Sequence, residues 1–394
     1  MKVLPYNITP ARDTILHNRY RIREVTYQVD TTRTGRPFLR QRALREASRL
    51  EPGNIYREQD VQETYAHMIR LGGVLSTNVR LHPSATDSTA LDADILLTRG
   101  KRNSFSVEVE GTNSAGDFGA ALSTSYQNRN VFRGGETFNI KLRGAFEAIK
   151  GLSGYQDQNY IEYSAETGFT FPGFRAPFIS RDFRRKVVAT SEVSLMYDSQ
   201  DRPEFHRRVV TAAWKYRWAR PGKRLQHRVD LLDLNYVFMP WISSTFRELY
   251  LDDPENRNAI LRYNYENLFI MKWGYNMTYN SRSIRDGRTN YGTNGYIVRM
   301  GVESSGNLLY GLSKAGLSNI NSMGQYTFFN IAYAQYVKAD FDYSKSFIFD
   351  KRNSLALHFG LGVAYPYGNS TILPYEKRYF SGGANSVRGW SVRE

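Results

Sequence analysis

The run Leu355-Ala356-Leu357-His358-Phe359-Gly360-Leu361-Gly362-Val363-Ala364 decides the fold. Its odd-numbered positions are apolar and its even-numbered positions are small or polar. A strand turns successive side chains to opposite faces, so this run has one apolar face and one small, polar face. Other runs read the same way. Phe105, Val107 and Val109 alternate with Ser106, Glu108 and Glu110. Phe138, Ile140, Leu142, Gly144 and Phe146 alternate with Thr137, Asn139, Lys141, Arg143 and Glu147. Phe329, Ile331, Tyr333, Val337 and Phe341 alternate with Asn330, Ala332, Ala334, Lys338 and Asp340. Each run is about nine residues or longer, enough for a tilted strand to cross a bilayer. Roughly eleven such runs precede residue 366. The pattern predicts a mostly β chain with lipid on one face of the sheet and water on the other.

Composition agrees with that reading. The mean hydropathy is -0.53, and no stretch of about 18–20 apolar residues marks a membrane helix. Period-two strands keep the average low because half of each strand is polar. The 28 Tyr and 22 Phe suit interfacial girdles. A soluble β-sandwich is the competing reading, but its strands are usually shorter. The connections 236–262 and 304–324 read as long and polar, whereas Pro221-Gly222 and 350–353 mark short turns, an alternation typical of outer-membrane barrels.

With 53 basic and 38 acidic residues the net charge is +15. That charge raises nucleic-acid binding as a reading. The basic residues are spread along the chain, however, and the densest stretch, Arg181, Arg184, Arg185 and Lys186, is short. No nucleic acid is expected as a partner. Anionic headgroups or a polar lumen accommodate the same charge. The chain has no Cys, which excludes disulfides and a Cys-based zinc site. His17, His67, His82, His206, His227 and His358 form no ligand-spaced pair, so no metal and no cofactor are expected. The glycine-rich stretch 381–389 lacks the ending of a phosphate loop. Glu108 and Glu110 share one strand face and read as lumen charges rather than a hydrolytic couple. Nothing in the sequence points to an enzyme.

Residues 19–100 mix periods. Tyr20, Ile22, Val25, Tyr27 and Val29 read as a strand with one slip of phase. Pro37 fits a helix start, and Leu39, Ala43, Ala47 and Leu50 recur at helical spacing. Pro52-Gly53 breaks that helix. Val61, Tyr65, Met68 and Ile69 mark a second helix that stops at Gly72-Gly73. Val79 and Leu81 lead to a turn over 83–88. Leu91, Ala93, Ile95 and Leu97 then alternate with Asp92 and Asp94. Strand, helix, helix, strand, strand predicts a small sheet covered by two helices. Residues 1–18 read as a linker or the end of a preceding domain, and 101–394 as the barrel region.

Three motifs carry a family resemblance. The last stretch, Leu373-Pro374-Tyr375-Glu376-Lys377-Arg378-Tyr379-Phe380-Ser381-Gly382-Gly383-Ala384-Asn385-Ser386-Val387-Arg388-Gly389-Trp390, resembles the motif loop of the BamA/TamA family of outer-membrane assembly factors. Glu110-Gly111-Thr112-Asn113-Ser114-Ala115-Gly116-Asp117-Phe118-Gly119, followed by Asn128-Arg129-Asn130-Val131-Phe132-Arg133-Gly134-Gly135, resembles the family's first barrel hairpin and the turn after it. The module at 19–100, with Glu51-Pro52-Gly53 and Tyr56 between its helices, is similar to a POTRA domain. The likeness covers nearly all of 19–394.

The resemblance implies a POTRA-like α+β domain in the periplasm, followed by an incomplete antiparallel transmembrane β-barrel in the outer membrane. In the family the barrel has sixteen strands, and the motif loop folds into the lumen between strands eleven and twelve. The chain has no signal peptide at its N-terminus and stops soon after Trp390, so truncation at both ends is expected. The lumen-loop residues would be Gly382, Gly383, Val387, Arg388, Gly389 and Trp390, with Arg388 paired to acidic groups on the inner wall. The first strand of a lateral gate would be Ser104, Phe105, Ser106, Val107, Glu108, Val109 and Glu110, whose backbone edge templates an incoming strand. The implied partners are the outer-membrane bilayer, unfolded client outer-membrane or secreted proteins, and periplasmic chaperones or accessory lipoproteins. A two-partner-secretion transporter and a passive porin or receptor barrel are the alternatives.

Overall fold

The computed structural model describes residues 20–29, 35–87, 89–114, 117–149, 159–176, 179–220, 224–251, 265, 267–282, 294–350 and 352–380. The chain divides into two compact units. The first comprises residues up to Asn103 together with Asn128–Thr137 and Ser180–Arg185, and the second comprises the rest.

In the first unit, β1 (Arg21–Val29), α1 (Gln41–Ala47), α2 (Glu58–Met68), β2 (Val74–Pro83) and β3 (Ala90–Arg99) follow in that order. The sheet order is β1-β3-β2, with β1 parallel and β2 antiparallel to β3. The slip of phase in β1 is a register shift between Ile22 and Glu24. It lets Ile22 and the later odd-numbered residues reach the same core. Ala93, Ile95 and Leu97 of β3 are buried at every second position and pack with Ile22, Leu44, Met68 and Leu71.

Helix α1 is shorter than the sequence pattern suggests. Pro37 does not open it, because Phe38 and Leu39 are buried before the helix begins. Arg40 is extended, and its N–H donates to the Arg133 carbonyl at 2.7 Å. At the other end Ser48 is extended and its Oγ bonds Leu50, so Leu50 enters the core from outside the helix. The linker that follows pairs with β1: Ile22 N–H donates to Asn54 at 2.8 Å and Gly53 N–H donates to Ile22 at 2.7 Å.

The second unit is built on one eleven-stranded antiparallel sheet. Its strands are β4 (Asn103–Ser114), β5 (Asp117–Arg129), β6 (Thr137–Ala148), β7 (Asn159–Pro172), β8 (Val188–Asp201), β9 (Phe205–Ala219), β10 (Leu225–Ile242), β11 (Leu268–Asn280), β12 (Gly295–Ser305), β16 (Tyr336–Ile348) and β17 (Ser354–Pro366). Between β12 and β16 the strands β13 (Asn319–Ile320), β14 (Tyr326–Phe328) and β15 (Ile331–Ala332) form a separate small sheet. Short helices α3 (Arg181–Lys186), α4 (Ser244–Phe246) and α5 (Asn307–Lys314) lie in connections. The sheet strands run from 11 to 18 residues, and a tilted crossing strand needs about 9–11.

Strand alternation gives the sheet two unlike faces. Leu195, Trp273, Val302 and Leu361 are each 44–58% exposed on one face. A soluble sheet would pack that face on a core. The opposite face carries the charged residues described below.

Some local expectations change. The run beginning at Phe329 is not one strand. Phe329 and Asn330 have φ of 53° and 62° and form the two-residue turn between β14 and β15, as left-handed hairpin turns require. Residues 236–242 belong to β10 rather than to a connection. The connection 202–204 is short although it lies at the same end of the sheet as the long ones, 243–267 and 306–335.

Candidate functional site: the polar face and the segment laid on it

The polar face of the large sheet is held by cross-strand charge pairs. Antiparallel register places Arg299 opposite Asp342, and they meet at 3.2 Å. His358 on β17 contacts the same carboxylate. Asp233 and Lys272 are opposite each other across β10 and β11, at 3.8 Å. Arg143 meets Glu110 at 2.9 Å and Glu162 at 3.8 Å. Such pairs satisfy charges on a face away from lipid.

After β17 the chain turns back across this face. The segment contains a single 3-10 turn, Tyr375–Lys377. Lys377 Nζ lies 3.7 Å from Glu303 Oε1. The other oxygen of Glu303 takes Lys272 Nζ at 2.8 Å, and Tyr336 OH donates to Oε1 at 3.1 Å. Glu376 accepts from Asn235 Nδ2 at 3.2 Å and sits 4.0 Å from Arg207. Tyr379 OH donates to Asp340 at 2.6 Å, and Lys338 stands 4.2 Å over its ring. Gly362 leaves the space this ring occupies, because a Cβ there would overlap it. A cavity of about 180 Å³, lined by Thr211, Asp233, Asn235, Ile270, Lys272 and Lys377, lies under the segment and has polar walls suited to water.

The start of the segment is fixed by a buried polar knot. Asn369 Nδ2 donates to the carbonyls of Tyr326 (2.9 Å) and Tyr333 (3.1 Å), and its Oδ1 accepts from Tyr326 N–H (2.7 Å). Its own N–H donates to Gln335 Oε1 at 2.9 Å. Gln335 N–H donates to Ser370 Oγ at 2.8 Å, and Gln335 Nε2 donates to Asn307 at the start of α5. Gly368, at φ +60°, lets the chain turn tightly over the Gln335 amide. Below the knot, Leu309, Ile331, Tyr333 and Phe269 form a small apolar core.

The residues expected at the gate, Ser104, Phe105, Ser106, Val107, Glu108, Val109 and Glu110, all lie on β4 and are exposed. Strand β4 is one end of the sheet and β17 is the other. Gly382, Gly383, Val387, Arg388, Gly389 and Trp390 lie outside the described residues. The sequence did not single out Asn369 or Gln335, and Lys377 and Tyr379 stood in the motif stretch with no role assigned to them. Only Tyr367-Gly368-Asn369-Ser370 carried a local signal, that of a turn.

The first unit has a polar centre of its own. Arg49 is buried, 3.8 Å from Glu63, and donates to the carbonyls of Glu46 (3.2 Å) and Ser48 (3.3 Å). Its Nη2 lies 3.2 Å from His67. Burial, then the charge of Arg185, lowers the Arg49 pKa to about 10, so it stays cationic. Burial, then Arg49 and Arg70, pushes His67 down to about 3, which keeps its imidazole neutral.

An antiparallel sheet with one exposed apolar face, one charged face and a segment folded onto the charged face defines a protein of the membrane β-barrel class. The chain belongs to the Omp85 superfamily, whose domain matches residues 98–394. Membership makes it an outer-membrane protein of a superfamily whose members are transport and assembly factors, working in protein insertion or secretion. Among solved structures it resembles BamA from Haemophilus ducreyi lacking POTRA domains 1–3, with a TM-score of 0.54 and 13% identity over 95% of this chain. The chain spans 60% of the length of that structure. CdiB from Acinetobacter baumannii matches with a TM-score of 0.49 and 11% identity, covering 95% of this chain and 57% of that one. CdiB from Escherichia coli matches with a TM-score of 0.36 and 9% identity, covering 88% and 70%. No curated protein matches the sequence.

Proposed function

We propose that the chain is part of an outer-membrane assembly or translocation factor that inserts or exports client proteins through a laterally opening barrel. The observation that carries this reading is the segment 372–380 laid across the charged face and anchored at Glu303 and Asp340. The strand–helix–helix–strand–strand unit supports a POTRA-like role for residues 19–100 in the periplasm, receiving unfolded clients from chaperones or accessory lipoproteins. Strand β4 supplies a free edge, and an edge strand pairs readily with an incoming strand. On this reading Arg388, outside the described residues, would add a further tether inside the lumen, and glycine at 382 and 383 permits the tight turns such a loop would need.

The chain has no Cys, so single cysteines report without background. Ser104→Cys and Ser106→Cys on β4 should form disulfides with a cysteine in the final strand of a stalled outer-membrane client. Ser194→Cys, in the middle of the sheet on β8, should not. Equal trapping at all three positions, or none at β4, would overturn the proposal. Arg388→Ala in the full-length protein should lower outer-membrane protein levels in cells.

A further inference from the structure

The first unit carries a concentration of cations whose role the assembly reading leaves open. Residues 98–103 and 128–137 contain Arg99, Lys101, Arg102, Arg129 and Arg133 against one carboxylate, Glu136. Glu136 is buried and accepts the N–H of Gly134 at 2.8 Å. Arg99, Arg102, Arg129 and Arg133 line a shallow cavity of about 30 Å³ with Phe38 and Asn130. Two backbone bonds and one side-chain bond hold its floor: Arg129 N–H donates to Arg102 O at 2.7 Å, Arg40 N–H donates to Arg133 O at 2.7 Å, and the Asn130 side-chain Nδ2 donates to Phe38 O at 2.7 Å. Arg99, Arg102 and Arg129 are exposed.

The position of these arginines along the chain selects the ligand. Arg99 ends β3, Arg102 immediately precedes β4, and Arg129 ends β5. Three residues after Arg102, Phe105 begins the exposed apolar face, at 69% exposure, and Phe132 in the same turn as Arg133 is 49% exposed. Basic and aromatic side chains where apolar strands begin match the headgroup level of a bilayer. The guanidinium fork pairs with phosphate oxygens in two-point fashion. A cavity of this size takes phosphate oxygens while the rest of a headgroup stays in the open.

We infer that Arg99, Arg102, Arg129 and Arg133 form a binding site for the phosphate of an anionic lipid headgroup at the strand ends. The site holds the lipid by its charge and by the backbone-fixed spacing of the arginines. It depends on the membrane placement of β4 and β5, not on the assembly function.

The test is native mass spectrometry of the detergent-solubilised chain, titrated with phosphatidylglycerol or with phosphatidylcholine of the same acyl chains. Phosphatidylglycerol should bind the wild type at least fivefold more tightly. Arg102→Gln with Arg129→Gln should weaken it about 20-fold, as expected for two cations at about fivefold each. Arg102→Lys with Arg129→Lys, which keeps the charge but gives up the two-point fork, should bind more tightly than the Gln pair and less tightly than the wild type, which separates loss of charge from misfolding. Equal affinity for the two lipids, or an unchanged affinity in the Gln pair, would overturn the site. Full displacement of lipid by millimolar inorganic phosphate would assign it to free phosphate instead and would also overturn the lipid proposal.

Discussion

Lys377 and Glu303 meet at 3.7 Å around a carboxylate that Lys272 and Tyr336 already engage. One acid on β12 thus joins the returning segment to β11 and β16. The side chains of Lys272, Glu303 and Lys377 are only 17–20% exposed. A paired charge in such a place loses far more when its partner goes than it contributes as a pair.

Glu303→Gln should therefore be the most damaging single change on the polar face. It leaves Lys272 and Lys377 facing each other with Asp233 as the remaining acid beside Lys272. A cost of about 2–4 kcal/mol is expected. Lys377→Gln should cost about 1 kcal/mol, because Glu303 keeps Lys272 and Tyr336. The measurement is the temperature at which the folded band is lost on semi-native gels. Equal shifts for the two variants would mean that Glu303 does not organise the segment.

Gly362 and Tyr379 allow a finer perturbation. A Cβ at 362 would enter the Tyr379 ring, which supplies its three nearest atoms. Gly362→Ala should move the ring and break its bond to Asp340 at 2.6 Å. Because Tyr379 is 47% exposed, the ring can swing away and the stability cost stays at about 1 kcal/mol. Tyr379→Phe should give a similar loss, and the two changes together should be no worse than one. Additive losses in a double-mutant cycle on the semi-native gel would argue against this coupling.

The eleven strands were legible because side-chain parity is a local property, readable two residues at a time. So was the bulge in β1, where Ile22 and Val25 fall out of phase by one. Parity cannot see a two-residue turn that keeps the phase. That is why 329–341 read as one strand, although Phe329 and Asn330 form a turn and residues 333–335 separate β15 from β16. Pro37 misled for a related reason: helix-start signals do not reveal that Phe38 and Leu39 are claimed by the core first. Lys377 and Asn369 were illegible because their partners lie on strands and turns brought close only by sheet register. The Gly-Gly and Val-Arg-Gly-Trp residues drew attention to the loop, but its described anchors lie upstream of them, at Asn369, Lys377 and Tyr379.

Asn369 should prove as important to the loop as any charged residue. It is 6% exposed and makes bonds with three backbone groups of Tyr326 and Tyr333. Asn369→Ala strands those groups inside the fold, where each costs about 1–3 kcal/mol if water cannot reach it. The variant should exchange amide hydrogens faster over β14 and β15, and unchanged over β8 and β9. Unaltered protection at Tyr326 would show that the small sheet does not depend on the knot.

The first unit should lose stability in acid. Burial and the charges of Arg49 and Arg70 hold His67 at about 3, whereas an unfolded chain takes up the proton near 6.5. The folded value is depressed, so lowering the pH favours the unfolded form. Stability is complete above about pH 6.5 and falls away progressively as pH drops towards 3. At pH 5 the loss should be about 1–2 kcal/mol, allowing for the partial exposure of the ring. Hydrogen exchange of α2, corrected for the intrinsic effect of pH, should therefore show roughly tenfold less protection at pH 5 than at pH 7.5. His67→Gln keeps a neutral polar side chain beside Arg49 and should flatten that dependence. If the wild type and the variant respond to pH alike, the proton is taken up elsewhere and His67 is not the group that links the helix to acidity.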